Sequence, residues 1–288
     1  MPIDRDKALG ADLGEREVAW VPDDVILYHL GVGAGVPATD AGELGYTYEK
    51  ELKVLPSFVV VAGGRRPGSG AGGGFNIPGV EFNLAQLLHG EQEIEIHKPL
   101  PTQATLTNRG RVADVFDKDK AALLILENEA RDSDGELIYT TRMAAFIRGE
   151  GGFGGPAGPP PGNEPPDRAP DGVIETPTLP QQALLYRLSG DKNPLHADPE
   201  FAKMAGFDVP IIHGLCSYGI ACKAVVDHLL DGDPTRVARY QARFRGVAYP
   251  GETYVTSWWR EGDDIVLSVK SKERDAPIIS NAAVRVRK

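Results

Sequence analysis

The feature that most constrains this chain is a run dominated by glycine and proline near its middle. Residues 149–172, GEGGFGGPAGPPPGNEPPDRAPDG, hold few side chains that can enter a core, so they read as a linker. The linker leaves two parts of similar size, 1–148 and 173–288, and the two parts repeat one order of elements. Each opens on a short helical stretch around a tyrosine, Tyr28 in DDVILYHLGVGAG and Tyr186 in QQALLYRLSGDKNPLH. Each then has an apolar segment with a proline, near Pro56 and near Pro210. Strand-like alternation follows and runs into a proline turn, EQEIEIHKPLP in the first part and YQARFRGVAYPG in the second. Two further strand-like runs close each part. The first part is longer, and its surplus falls in a Gly-rich insert, residues 63–75, read as a loop. One long helix and several antiparallel strands per part predict an α+β unit, a sheet wrapped around a helix. Two such sheets side by side would make one continuous antiparallel sheet.

Charge narrows the partners. The net charge is −10 and no basic stripe is present, which argues against nucleic acid. A local basic pocket can still bind an anionic ligand. The polar N-terminus lacks the apolar core of a signal peptide, and no stretch approaches the roughly 18 apolar residues of a membrane span. The C-terminal VRVRK is not a Ser-Lys-Leu address, so a cytoplasmic protein is expected. Cys216 and Cys222 lie on opposite faces of an expected helix, which is awkward for a disulfide.

The densest chemical signal is YRLSGDKNPLHADPEFAKMAGFDVPIIHG, residues 186–214. Pro194 interrupts helical hydrogen bonding, so Asp191, Asn193 and His196 sit on a loop that can turn them to one point. A carboxylate, an amide and an imidazole together make an acid/base set. The same residues also suit an ordinary turn. A metal set is not expected, because mixed ligands without cysteine make a poor signature. Asp198 and Pro199 read as the cap and first turn of a following helix. Gly214 opens a second, apolar helix, whose free N–H groups suit a thioester oxygen that gains charge; a plain helix start with His213 as its cap fits equally.

The run YRLSGDKNPLHADPEFA, followed by PIIHGLCSYG, resembles the hydratase 2 motif of the MaoC-like dehydratase family. The first part resembles the first half of two-domain 2-enoyl-CoA hydratases 2. The resemblance implies a double hot-dog fold and a homodimer. It implies reversible hydration of trans-2-enoyl-CoA to (R)-3-hydroxyacyl-CoA, in fatty acid or steroid side-chain metabolism, with no cofactor beyond the coenzyme A of the substrate. Position by position, Asp191 and His196 become the acid/base pair acting through one water, Asn193 orients them, and the Gly214 N–H holds the thioester oxygen. Sequence leaves open which of the pair takes the proton from water.

In the first part, Gly33 and Gly35 stand opposite Asp191 and Asn193, so one site per chain is expected. That part would then house the acyl chain, with Gly31, Gly33 and Gly35 either opening its helix or merely ending it. Arg243 and Arg245 share a strand face by period two and are candidates for the coenzyme A phosphates. His29, His89, His97 and His228 read as packing or surface residues, and Trp258 and Trp259 as sheet packing. A thioesterase on the same fold and a non-catalytic acyl-CoA-binding protein are the rival readings; thiol release, or binding without turnover, would mark them.

Overall fold

The computed structural model describes residues 3–64, 77–83 and 86–288. Most of the Gly-rich insert expected at 63–75 lies outside the described residues. Period-two alternation does form strands. In β3 (Ala104–Asp117), every second residue from Leu106 to Val112 is buried and those between face outward. The described strands make one sheet of ten, all neighbours antiparallel, in the order β1-β3-β4-β5-β2-β7-β10-β9-β8-β6. The strands of the first unit are β1 (Asp12–Trp20), β2 (Leu87–Ile96), β3, β4 (Ala121–Arg131) and β5 (Leu137–Arg148). Those of the second are β6 (Gly172–Pro177), β7 (Val237–Phe244), β8 (Thr253–Glu261), β9 (Asp264–Ser271) and β10 (Pro277–Val286). The order is a palindrome about the β2·β7 pair, where Glu91 to Glu95 face Arg243 to Arg239. The repeat inferred from element order is therefore present in space, as the two halves of a double hot-dog.

The helices break the symmetry. α1 (Arg5–Ala8) is one turn at the start of the first unit. α2 (Pro22–Gly31) carries Tyr28, and α4 (Gln182–Tyr186) ends on Tyr186; the two rings meet at 6.0 Å, both fully buried. α3 (Ala41–Thr47) and α5 (Pro199–Met204) are short. The second unit wraps its sheet around α6 (Gly214–Leu229), buried on all sides from Cys216 to Val226. A long helix was expected in each unit, but in the first the described residues at the matching place after Leu55 form a 3-10 turn, Pro56–Val60. Tyr28 and Phe58 of the first unit pack beside that gap at 5.7 Å and join the single large core around α6.

Gly219 permits the closest crossing. A Cβ there would lie 2.5 Å from the Tyr28 hydroxyl oxygen and 2.6 Å from Val32 Cγ1. Polar contacts also tie the units. Lys223 Nζ of α6 meets Glu43 of α3 at 2.6 Å and Asp227 at 2.7 Å, and Tyr46 donates to Asp227. The segment 149–171 has no helix or strand and crosses the sheet on the face away from α6. Asp117 accepts from the N–H groups of Gly152 and Gly154, Asn281 donates to the Gly162 carbonyl, and Asn163 donates to Gln241. Gly172, the last residue of the expected linker, already belongs to β6.

Candidate functional site

The site grows from the exit of α4. Gly190, at φ +134°, turns the chain out of the helix into a backbone region that side chains disfavour. Asp191 follows, and its Oδ1 accepts from the Asn193 N–H. Asn193 Oδ1 accepts from the Leu195 N–H and caps a 3-10 turn, Pro194–His196. That turn sends the His196 ring inward, where Nδ1 lies 2.9 Å from the Ile211 carbonyl. A carbonyl only accepts, so Nδ1 carries the proton and Nε2 is left with a lone pair.

His213, at the N-cap of α6, stacks on His196 with ring centroids 3.7 Å apart and planes at 27°. Its Nε2 lies 3.3 Å from the Asp191 backbone carbonyl. Tyr186 closes over the other side of His213 at 4.9 Å. The Asp191 carboxylate and the two imidazoles place their ligand atoms within 4.8 Å of one another. Burial lowers the pKa of His196. Burial, then the neighbouring His196, pushes His213 down to about 3. Both rings are thus neutral at pH 7, and a proton arriving on either is unstable there. The same atoms are close enough to be candidate ligands for an ion.

Of the residues expected to converge, Asp191 and His196 do. Asn193 does not join them: it is exposed, and its amide oxygen is engaged in the turn. Gly214 is the first residue of α6, immediately after His213, and the Phe244 ring lies over it, 3.4 Å from where a Cβ would stand. The N–H groups of a helix's first turn have no intrahelical partner. His213 was legible in sequence only as a cap. Its part in the cluster comes from the loop 191–196 folding back across the start of α6, which residue spacing does not reveal.

The arginines divide. β7 ends at Phe244, so Arg243 lies in the strand and Arg245 beyond it. Arg243 is paired with Glu91 at 3.0 Å, while Arg245 is exposed. The glycines of the first unit have packing and turn roles. Gly31 lets α2 press on Tyr186, whose Cα would be 3.0 Å from a Cβ, and Gly33 and Gly35 take positive φ where α2 ends. The first unit nevertheless offers a cavity beside the loop, about 480 Å³, lined by Trp20, Phe58, Val61, Gly63, Gly64 and Ser189 among others. One residue, Gly190, separates Ser189 from Asp191.

Comparison with known proteins fits both units. Residues 19–149 match the MFE-2 hydratase 2 N-terminal domain, and residues 162–282 match the MaoC like domain. The enoyl-CoA hydratase ChsH3 of Mycobacterium tuberculosis is 47% identical over 282 residues, covering 97% of each chain. The chain belongs to the two-domain MaoC-like hydratase 2 family. As a member it is a hydratase. Another member, the peroxisomal enoyl-CoA hydratase 2 of Arabidopsis thaliana, is 42% identical, over 96% of this chain and 93% of that one. Among solved structures, the MaoC-like dehydratase of Phytophthora capsici superposes with a TM-score of 0.87 at 33% identity and covers 98% of both chains.

Proposed function

We propose that this hydratase adds water across the double bond of a trans-2-enoyl-CoA and yields the (R)-3-hydroxyacyl-CoA, or runs the reverse dehydration. The observation that carries the reading is the neutral His196 ring. Its Nδ1–H is fixed on the Ile211 carbonyl, which leaves Nε2 with the lone pair, and the ring offers a nitrogen within 4.8 Å of an Asp191 carboxylate oxygen. Both groups accept the two hydrogens of one water. His196 Nε2 takes one proton as the oxygen bonds to C3, and electrons move through C2 onto the thioester oxygen. The Gly214 N–H faces that oxygen. The imidazolium, beside the Asp191 carboxylate, then returns the proton to C2. Water is consumed whole, and no other reactant is needed. The residues of this set require neither metal nor redox cofactor; coenzyme A enters as part of the substrate. The relatives named as enoyl-CoA hydratases support the substrate class. The cavity at Trp20 and Phe58 is the proposed place of the acyl chain.

Since hydroxyl and proton come from one water, both reach the same face of the alkene. The test couples hydration of trans-2-enoyl-CoA to dehydrogenases specific for the R or the S product. Signal with the R-specific enzyme alone is expected. Signal with only the S-specific enzyme would overturn the R assignment, that is, the face of the alkene offered to the water, while leaving hydration itself intact.

A further inference from the structure

The two members of the acid/base pair are anchored in different ways. His196 is tied within the second unit, to Ile211. Asp191 follows Gly190, and Gly190 rests on the first unit. A Cβ on Gly190 would lie 2.8 Å from the Gly64 carbonyl oxygen and 3.0 Å from its carbon. In return, a Cβ on Gly64 would lie 2.8 Å from the Ser189 carbonyl oxygen. Both contacts are with backbone, which has no rotamer to swing aside. The two segments therefore touch main chain to main chain, and only glycines allow it. Gly190 also needs glycine for its φ of +134°. Gly64 has no positive φ, so the approach is its own reason. It closes a turn whose N–H donates to the Val61 carbonyl at 2.9 Å, and this turn walls the cavity assigned to the acyl chain.

We propose that Gly64 is a positioning residue: the first unit's turn 61–64 is the seat of the second unit's loop, and it sets where Asp191 stands relative to His196. The unit without acid/base side chains thereby completes the site of the other. This rests on the hydration reading above, with Asp191 as one of the pair. A side chain at Gly64 lifts Gly190 and moves Asp191, while His196 keeps its bond to Ile211.

The test is Gly64→Ala, made in the full chain alone and together with Asp191→Asn. A Cβ at Gly64 would also press on the Val61 carbonyl oxygen of its own turn, at 3.0 Å, and comparing the two backgrounds separates that effect from the contact with the loop. In the otherwise intact enzyme, kcat on a trans-2-enoyl-CoA should fall roughly 10- to 100-fold, the scale of an ångström-size misplacement. The Kd for a saturated acyl-CoA of the same length can rise, since Gly64 also walls the acyl cavity, but by much less than kcat falls. In the Asp191→Asn background, adding Gly64→Ala should cost little more, because its effect runs through the missing carboxylate. Unchanged kcat, an equal loss in both backgrounds, or a loss matched by weaker binding would each overturn the proposal. Should Gly64→Ala fail to fold, Gly190→Ala disturbs the same contact from the loop side, where a Cβ would lie 2.8 Å from the Gly64 carbonyl oxygen; its kcat loss should likewise vanish beside Asp191→Asn. If the unaltered chain hydrates no enoyl-CoA, the hydration reading fails, a result separate from any of these.

Discussion

At the scale of residues, Asp191 and His196 were legible because a proline-broken loop concentrates them within six positions. Replacing either with its neutral isostere, Asp191→Asn or His196→Gln, should lower kcat about 10²- to 10⁴-fold. The double variant should lose far less than the product of the two, since both act on one water. Near-normal turnover in either variant, measured by loss of enoyl absorbance, would remove the pair from the mechanism. Asn193 shows what spacing cannot decide: the pattern placed it with the others, and the turn it caps turned its side chain elsewhere. His29 was read as packing, and it is fully buried between the Tyr46 carbonyl and the Leu55 N–H. Burial pushes its pKa down to about 4. The unfolded chain then binds a proton that the folded chain refuses, so stability present above about pH 6.5 is lost as pH falls toward 4. The loss between pH 7 and 5 should be on the order of 2 kcal/mol from this residue. Denaturant titrations at the two pH values check it: His29→Gln should flatten the difference, and an unchanged slope would reject the assignment.

At the scale of elements, the strands were legible because a half-buried sheet imposes period two on the sequence. The single long helix was less so. The apolar segments near Pro56 and Pro210 look alike as strings, yet among the described residues the one after Gly214 forms four turns and more and the one at Pro56 a 3-10 turn. The difference lies in what surrounds them. The centre of the shared core is filled by α6, with Tyr28 and Phe58 packed beside it. The crossing at Gly219 makes this testable. Alanine is the better helix former by about 1 kcal/mol, but overpacking costs about 1–3 kcal/mol. Tyr28 is wholly enclosed and packs on Phe58 and Tyr186, so its hydroxyl has nowhere to retreat. Gly219→Ala should therefore lower the denaturation midpoint; a rise would mean that the two helices are less tightly crossed than described.

At the scale of the whole molecule, element order in the sequence foretold the two units, but not the palindrome of the joined sheet. Joining depends on β2 and β7 meeting edge to edge, and neither strand carries a mark of its partner beyond charges such as Glu93 and Arg239, which pair across the seam. The field of the molecule supplies a further test. A chain of net charge −10 repels the phosphates of coenzyme A unless a cation lies near. Arg243 is neutralised by Glu91, which leaves exposed Arg245, just past Phe244, as the proposed contact. Arg245→Ala should raise KM several-fold for the coenzyme A thioester and leave the N-acetylcysteamine thioester, which lacks phosphates, unaffected. An equal rise for both would exclude the contact.

The palindrome has one more consequence. In a symmetric pair of identical subunits, every substitution is made twice, and a change that widens one wall also alters the copy that does the chemistry. Here the two copies are written separately in one chain. With the acyl chain in the cavity proposed for it, the walls around Trp20 and Phe58 can drift toward a longer, shorter or bulkier guest while the proposed pair, Asp191 and His196, stays as it is. On the proposed reading, duplication lets the choice of substrate vary apart from the reaction performed on it, within the limits set where the two units meet, as at Gly64 on Gly190.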